Sequence, residues 1–183
     1  MANARVVDTN VLYVASAADP ASPFPAAGTP VEKAMIRDEV LNWLQEFERD
    51  PERHVVIDWD WYICREYLKK KNRGGITEQD YGWLAIMTKR DRNEVAWVGL
   101  TVDGHGHAVL PADVSRTVTD LDDRKMVAAV MAALADGHNC KLTVACDTDW
   151  LDCEACLNGE GIAVEYLVEQ WLRDKWAAKK APA

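Results

Sequence analysis

The chain has 183 residues, 49% of them hydrophobic and 28% charged, and a formal net charge of −9. That balance suits one globular domain with a real core, and the acidity argues against a passive coat that binds nucleic acid only by neutralising phosphates. No apolar run approaches the ~18 residues of a membrane span, and the opening residues lack the regions of a signal peptide, so a cytoplasmic location with no membrane contact is expected.

In chain order, residues 4–8 (Ala-Arg-Val-Val-Asp) read as a short buried strand, and Val11, Leu12 and Tyr13 carry the apolar character onward. Residues 16–30 are rich in Pro, Ala and Ser and read as a loop insertion. Helical spacing follows over 31–49, through Val31, Met35, Val40, Leu41, Leu44 and Phe47, and Asp50-Pro51 ends it. A second buried strand, His54-Val55-Val56-Ile57, leads into a helix over 58–71 that Gly74-Gly75 stops. Thr77 opens another helix that runs to about Arg90. Residues 94–110, two apolar runs around Asp103-Gly104, give a hairpin signal and read as a β-hairpin insertion. The clearest amphipathic helix covers 121–136, with Met126, Val127, Val130, Met131 and Leu134 on one face. A strand over 141–146 ends at Asp147; a short helix, a brief strand over 161–164 and a last helix over 165–176 follow. The expectation is one domain over 1–176 and a flexible tail over 177–183.

Strands alternating with helices predict an α/β fold with a central, mostly parallel sheet covered on both faces. Such sheets bind ligands outside the carboxyl ends of their strands. Asp8 and Asp147 each end a strand, Asp123 stands at the start of helix 121–136 behind Asp120 and Asp122, and Glu66 lies in the helix after the second strand. Carboxylates gathered from distant regions repel one another, and a hard divalent cation with oxygen ligands resolves the repulsion. Held there, it can polarise a phosphodiester and lower the pKa of bound water. Each residue also has a plain structural use: Asp8, Asp120, Asp122 and Asp123 as helix caps, Glu66 as a solvated helix residue, Asp147 and Asp149 in a turn.

The motif Val7-Asp8-Thr9-Asn10 resembles the opening DTN motif of the PIN-domain nucleases. Cys64-Arg65-Glu66-Tyr67, Asp120-Leu121-Asp122-Asp123 and Cys146-Asp147-Thr148-Asp149 resemble the family's second, third and fourth acidic motifs, in family order. The resemblance implies a PIN-like, Rossmann-like three-layer sandwich and Mg²⁺- or Mn²⁺-dependent cleavage of single-stranded RNA. It implies Asp8, Glu66, Asp123 and Asp147 as catalytic metal ligands, with Asp149 as a further ligand or supporting group. Asn10 would orient Asp8 or a metal-bound water, and Asp122 is the alternative register for Asp123. Ala145 departs from the Thr or Ser that many members carry two residues before the fourth Asp. The length departs from the compact toxin-type members, which puts a toxin role in doubt.

Lys69, Lys70, Lys71 and Arg73, with Lys89, Arg90 and Arg92, form the best basic region and would guide an RNA backbone; the plain alternative is a solvated helix end. Of the eight tryptophans, those near helices suit core or interface packing, and Trp150 is the candidate for stacking on a nucleobase. Cys153 and Cys156 form one CxxC that His138 and Cys140 would have to complete as a zinc site, which is little to go on. An antitoxin-like or regulatory protein, or a second copy, are the partners considered. The competing classes are a non-catalytic PIN-like module and a Mg²⁺-dependent phosphohydrolase, the latter disfavoured because Asn10 occupies the place of its second Asp.

Overall fold

The computed structural model describes residues 1–22, 28–72 and 80–181, with no side-chain description for 70–72. The first crossover carries β1 (Asn3–Val7), α1 (Thr9–Ala18), α2 (Ala34–Arg49) and β2 (Arg53–Asp58). The second adds α3 (Tyr62–Asn72), α4 (Tyr81–Asp91) and β3 (Val95–Val98). Then come α5 (Ala112–Thr117), α6 (Arg124–Ala135), β4 (Asn139–Val144), α7 (Asp149–Gly159), β5 (Ala163–Tyr166) and α8 (Glu169–Lys180). The strands form one five-stranded sheet in the order β3-β2-β1-β4-β5, and every pairing is parallel.

The central strands are apolar on both faces because helices cover both: Ala4, Val6, Val7, Val55, Val56, Ile57, Leu142 and Val144 are fully buried. One polar ladder crosses the interior. The Arg5 guanidinium pairs with Glu165 at 2.9 Å, and Thr143 Oγ1 donates to the same carboxylate at 2.9 Å, tying β1, β4 and β5 together. On the other side of the molecule α1 and α4 pack closely at Gly82, whose N–H donates to Ser16 Oγ at 2.9 Å while that hydroxyl donates to Asp80 at 2.8 Å.

Chain order puts the site at one place. The chain steps outward from β1 through β2 to β3, then returns to the other side of β1 for β4 and β5. The direction reverses between β1 and β4, which is where open parallel sheets leave a crevice at their carboxyl edge.

Several expectations need correction. The hairpin over 94–110 is not formed. Val95–Val98 pairs parallel with β2 as an edge strand of the main sheet, and beyond it stands only an isolated antiparallel bridge between Val102 and Ala108. The turn signal was real: the Asp103 carboxylate accepts the N–H groups of His105 and His107 at 2.8 and 3.0 Å. An apolar run of four residues does not reveal its strand partner, and here the partner is β2. The supposed loop from residue 16 begins later, because α1 continues to Ala18; residues 23–27 and the expected helix start at Thr77 lie outside the described residues. The last helix, expected over 165–176, runs from Glu169 to Lys180.

Candidate metal centre

Asp8 follows β1 and caps α1, its carboxylate accepting the Asn10 N–H at 3.2 Å. Its own N–H donates to Thr143 O at 2.9 Å, which anchors it to β4. The residue is only 3% exposed. Asp147 lies three residues beyond the last residue of β4, Val144. One of its carboxylate oxygens accepts the Asp149 N–H at 3.0 Å and the other accepts from Asn10 Nδ2 at 3.4 Å. Asn10 thus links the two aspartates, its backbone N–H to Asp8 and its side chain to Asp147.

Asp123 occupies the N-cap position of α6 in helical conformation, and its side chain makes no capping hydrogen bond; the cap reading of this residue does not hold. Asp122 and Glu66 are joined by two lysines. Lys125 Nζ lies 3.1 Å from Glu66 Oε2 and 3.1 Å from Asp122 Oδ1. Lys69 Nζ lies 2.8 Å from Glu66 and 3.2 Å from Asp122. Burial pushes the Asp122 carboxyl up, but the hydrogen bonds of Lys125 and Lys69 outweigh that and hold it below its ordinary value. The hydrogen bond to Glu66 in turn raises Lys69. The Lys125 side chain is only 6% exposed, so this is a buried cross-link between α3 and α6.

Asp8, Asn10, Glu66, Asp122, Asp123 and Asp147 line one cleft of about 210 Å³, with Asp120, Thr9 and Met126 completing its wall. The sequence-derived acidic set is therefore brought together, with one exception. Asp149 is exposed, pairs with Lys179 at 2.8 Å and lines a neighbouring cleft of about 130 Å³ that shares Asp120 and Asp123. Among the described residues no group of three or more His, Cys, Asp or Glu is arranged so that it could hold a metal ion. The carboxylates share a cleft without converging on one point, and two ammonium groups already neutralise part of it. Of the residues that the zinc alternative would need, Cys153 Sγ faces Thr117 O at 3.5 Å, Cys140 Sγ faces Lys141 O at 3.9 Å, and His138 Nδ1 accepts the Ala2 N–H.

The basic region divides. Lys69 is engaged with the acids rather than open to a phosphate. Lys89 is fully buried on Glu94 and serves the core, Arg90 pairs with Asp91, and Arg92 reaches Glu48. The side chains of Lys70 and Lys71, and Arg73 entirely, lie outside the described residues. Trp150 is 1% exposed and part of the core, so it offers no face to a base. Lys125, which pairs with the cleft residues Glu66 and Asp122, is a residue that sequence reasoning left without a role; an i, i+3 spacing from Asp122 to Lys125 was the available signal, since such pairs meet on a helix surface.

Compared with known proteins, the chain matches no family model, no curated protein and no solved structure.

Proposed function

We propose that the chain is a divalent-metal-dependent endonuclease of the PIN-like type, a three-layer sandwich acting on single-stranded RNA. One observation carries this: Asp8, Glu66, Asp123 and Asp147, from four separate regions, line a single cleft at the carboxyl edge where the sheet reverses direction. The donor set is all oxygen, which fits Mg²⁺ or Mn²⁺ and does not fit a thiolate- or imidazole-seeking ion. Asp8, Asp123 and Asp147 would hold the ion by drawing together from their separate places along the cleft, and Glu66 would join them on exchanging an ammonium for it. When bound, such an ion supplies charge for the phosphate and a lower pKa for the attacking water.

The protein's own groups do the rest. The cap hydrogen bond and the Thr143 carbonyl fix Asp8, and Asn10 with the Asp149 N–H fixes Asp147. Buried Lys125 keeps Glu66 aimed at the cleft while offsetting the repulsion of its neighbours. Lys69, 54% exposed, is the ammonium that can release the acids and meet a substrate phosphate.

The test is cleavage of labelled single-stranded RNA and DNA in Mg²⁺, Mn²⁺ or EDTA, with Asp8→Asn as control. Metal-dependent cutting, lost by at least about a hundredfold in the variant, is expected, as for removal of a group that organises charge at the reacting centre. Cutting by the variant at the wild-type rate would sink the site assignment. A second reading, a non-catalytic PIN-like module, is favoured by the two lysines that already pair with Glu66 and Asp122. Absence of both Mn²⁺ binding and cleavage would select it.

A further inference from the structure

β2 ends in a turn that is held with unusual completeness. The Asp58 carboxylate, fully buried, accepts the N–H groups of Asp60, Tyr62 and Ile63 at 3.1, 2.9 and 2.8 Å. The Asp58 carbonyl accepts from Trp61 N at 3.1 Å, and Trp59 N donates to Val98 O at 3.1 Å, which fastens the turn to β3. Arg65 Nη2 donates to the Asp60 carbonyl at 2.9 Å. Within this frame Trp61 sits at φ 64°, the left-handed region that a bulky side chain rarely occupies. Backbone held there persists because the surroundings over-determine it.

The turn holds an indole out in water. Trp59 stacks on Trp97 with ring centroids 4.8 Å apart and planes 15° apart, yet it stays 63% exposed. One ring face lies on Trp97, so the exposed area is chiefly the other face and the edge. It is the only aromatic among the exposed large hydrophobic residues of the described chain. Two guanidinium groups stand by the same turn, Arg65 5.1 Å from the Tyr62 ring centre and Arg90 5.6 Å from that of Trp61. The turn leaves the carboxyl end of β2, next to β1, whose carboxyl end presents Asp8; Trp97 is on the following strand. At a spacing of about 5 Å per strand, the platform lies roughly one to two strands from the acidic cleft on the same edge.

We propose that Trp59, backed by Trp97, is a stacking platform for a base of a single-stranded nucleic acid whose backbone continues into the acidic cleft. This rests on the nuclease reading above. Stacking suits a protein of net charge −9, because it gives affinity that does not depend on neutralising phosphates. A single exposed ring, on a turn that also carries two guanidinium groups over Tyr62 and Trp61, matches a flat ligand with an anionic backbone better than it matches the broad apolar patch of a protein interface.

The experiment titrates the protein in EDTA with a short labelled single-stranded RNA and with the same strand made abasic. It reads anisotropy and tryptophan fluorescence, for wild type, Trp59→Ala and Trp59→Phe. Fluorescence quenching on binding is expected, with binding about tenfold weaker in Trp59→Ala and partly restored in Trp59→Phe. The abasic strand should bind the wild type and Trp59→Ala alike. Equal binding of the normal strand to wild type and Trp59→Ala, or no binding to the wild type, would overturn the platform. So would a wild-type dimer that Trp59→Ala converts to monomer while binding stays base-independent, since that assigns the ring to a protein contact. Cleavage in Mn²⁺ is scored separately. Base-dependent binding without cleavage keeps the platform and removes the nuclease, and cleavage unaffected by Trp59→Ala with no change in binding does the reverse.

Discussion

A methyl group at Gly82 has nowhere to go. A Cβ built there would stand 2.5 Å from the Leu12 carbonyl oxygen and 2.8 Å from Leu12 Cβ, both on the body of α1 rather than at the end of a flexible side chain. Helix propensity alone predicts a gain of about 1 kcal/mol for Gly82→Ala inside α4. Overpacking predicts a loss of about 1–3 kcal/mol, and the contact distances decide for the loss. Urea unfolding of Gly82→Ala should therefore show a net destabilisation of about 1–2 kcal/mol; a stabilised variant would mean that α1 and α4 are not held this closely. Nothing in the sequence marks this glycine, because its role depends on a helix 70 residues earlier, at Leu12. The same limit separates two tryptophans. Trp150 and Trp59 both sit among aspartates, yet α7 packs the first into the core while the β2 turn holds the second out. Local sequence carries polarity, and burial is settled by which elements meet.

At the scale of elements, what could be read was what each segment states about itself. Short apolar runs declared β1, β2 and β4, and the amphipathic face of α6 declared that helix. Two things were not legible. α5, Ala112–Thr117, has six residues, too few for a period to show. The partner of β3 was also hidden, so a parallel edge strand read as half of a hairpin. That Asp8, Asp123 and Asp147 share one cleft was legible for a related reason: each stands close to the end of its own element, so finding the elements placed all three. The ammonium groups on Glu66 were not legible, since Lys125 is 59 positions away along the chain. Beyond its pairing with β4, the edge strand β5 is tied to β1 by one such long-range contact, the Arg5–Glu165 pair, with side chains 7% and 26% exposed. Breaking a largely buried pair from one side leaves an uncompensated charge and costs about 3–5 kcal/mol. Glu165→Ala should fall toward the lower end of that range, about 3 kcal/mol by chemical denaturation, because Glu165 retains some solvent. Arg5→Met combined with Glu165→Leu should recover much of the loss. A Glu165→Ala variant of wild-type stability would show that the pair adds nothing to the docking of β5.

At the scale of the whole molecule, the cleft gathers carboxylates on a chain whose net charge is already −9. Ion pairs from Lys69 and Lys125 bring positive charge to Glu66 and Asp122. A cation that binds the folded chain and not the unfolded one must then stabilise it, by about 2.7 kcal/mol at a hundredfold excess over its Kd. For a chain of this size that corresponds to a rise in Tm of roughly 5–10 °C in Mn²⁺, reversed by EDTA. Asp8→Asn separates this linkage from ordinary salt effects. Asparagine caps a helix as well as aspartate does, so α1 should keep its start, and one fewer carboxylate should leave the metal-free variant melting no lower than the wild type. The Mn²⁺-dependent rise should nevertheless shrink to the small shift given by an ionic-strength control. If Mn²⁺ raised the two proteins equally, the cation would be acting through general screening of the −9 charge, and Asp8 would be a helix cap and nothing more.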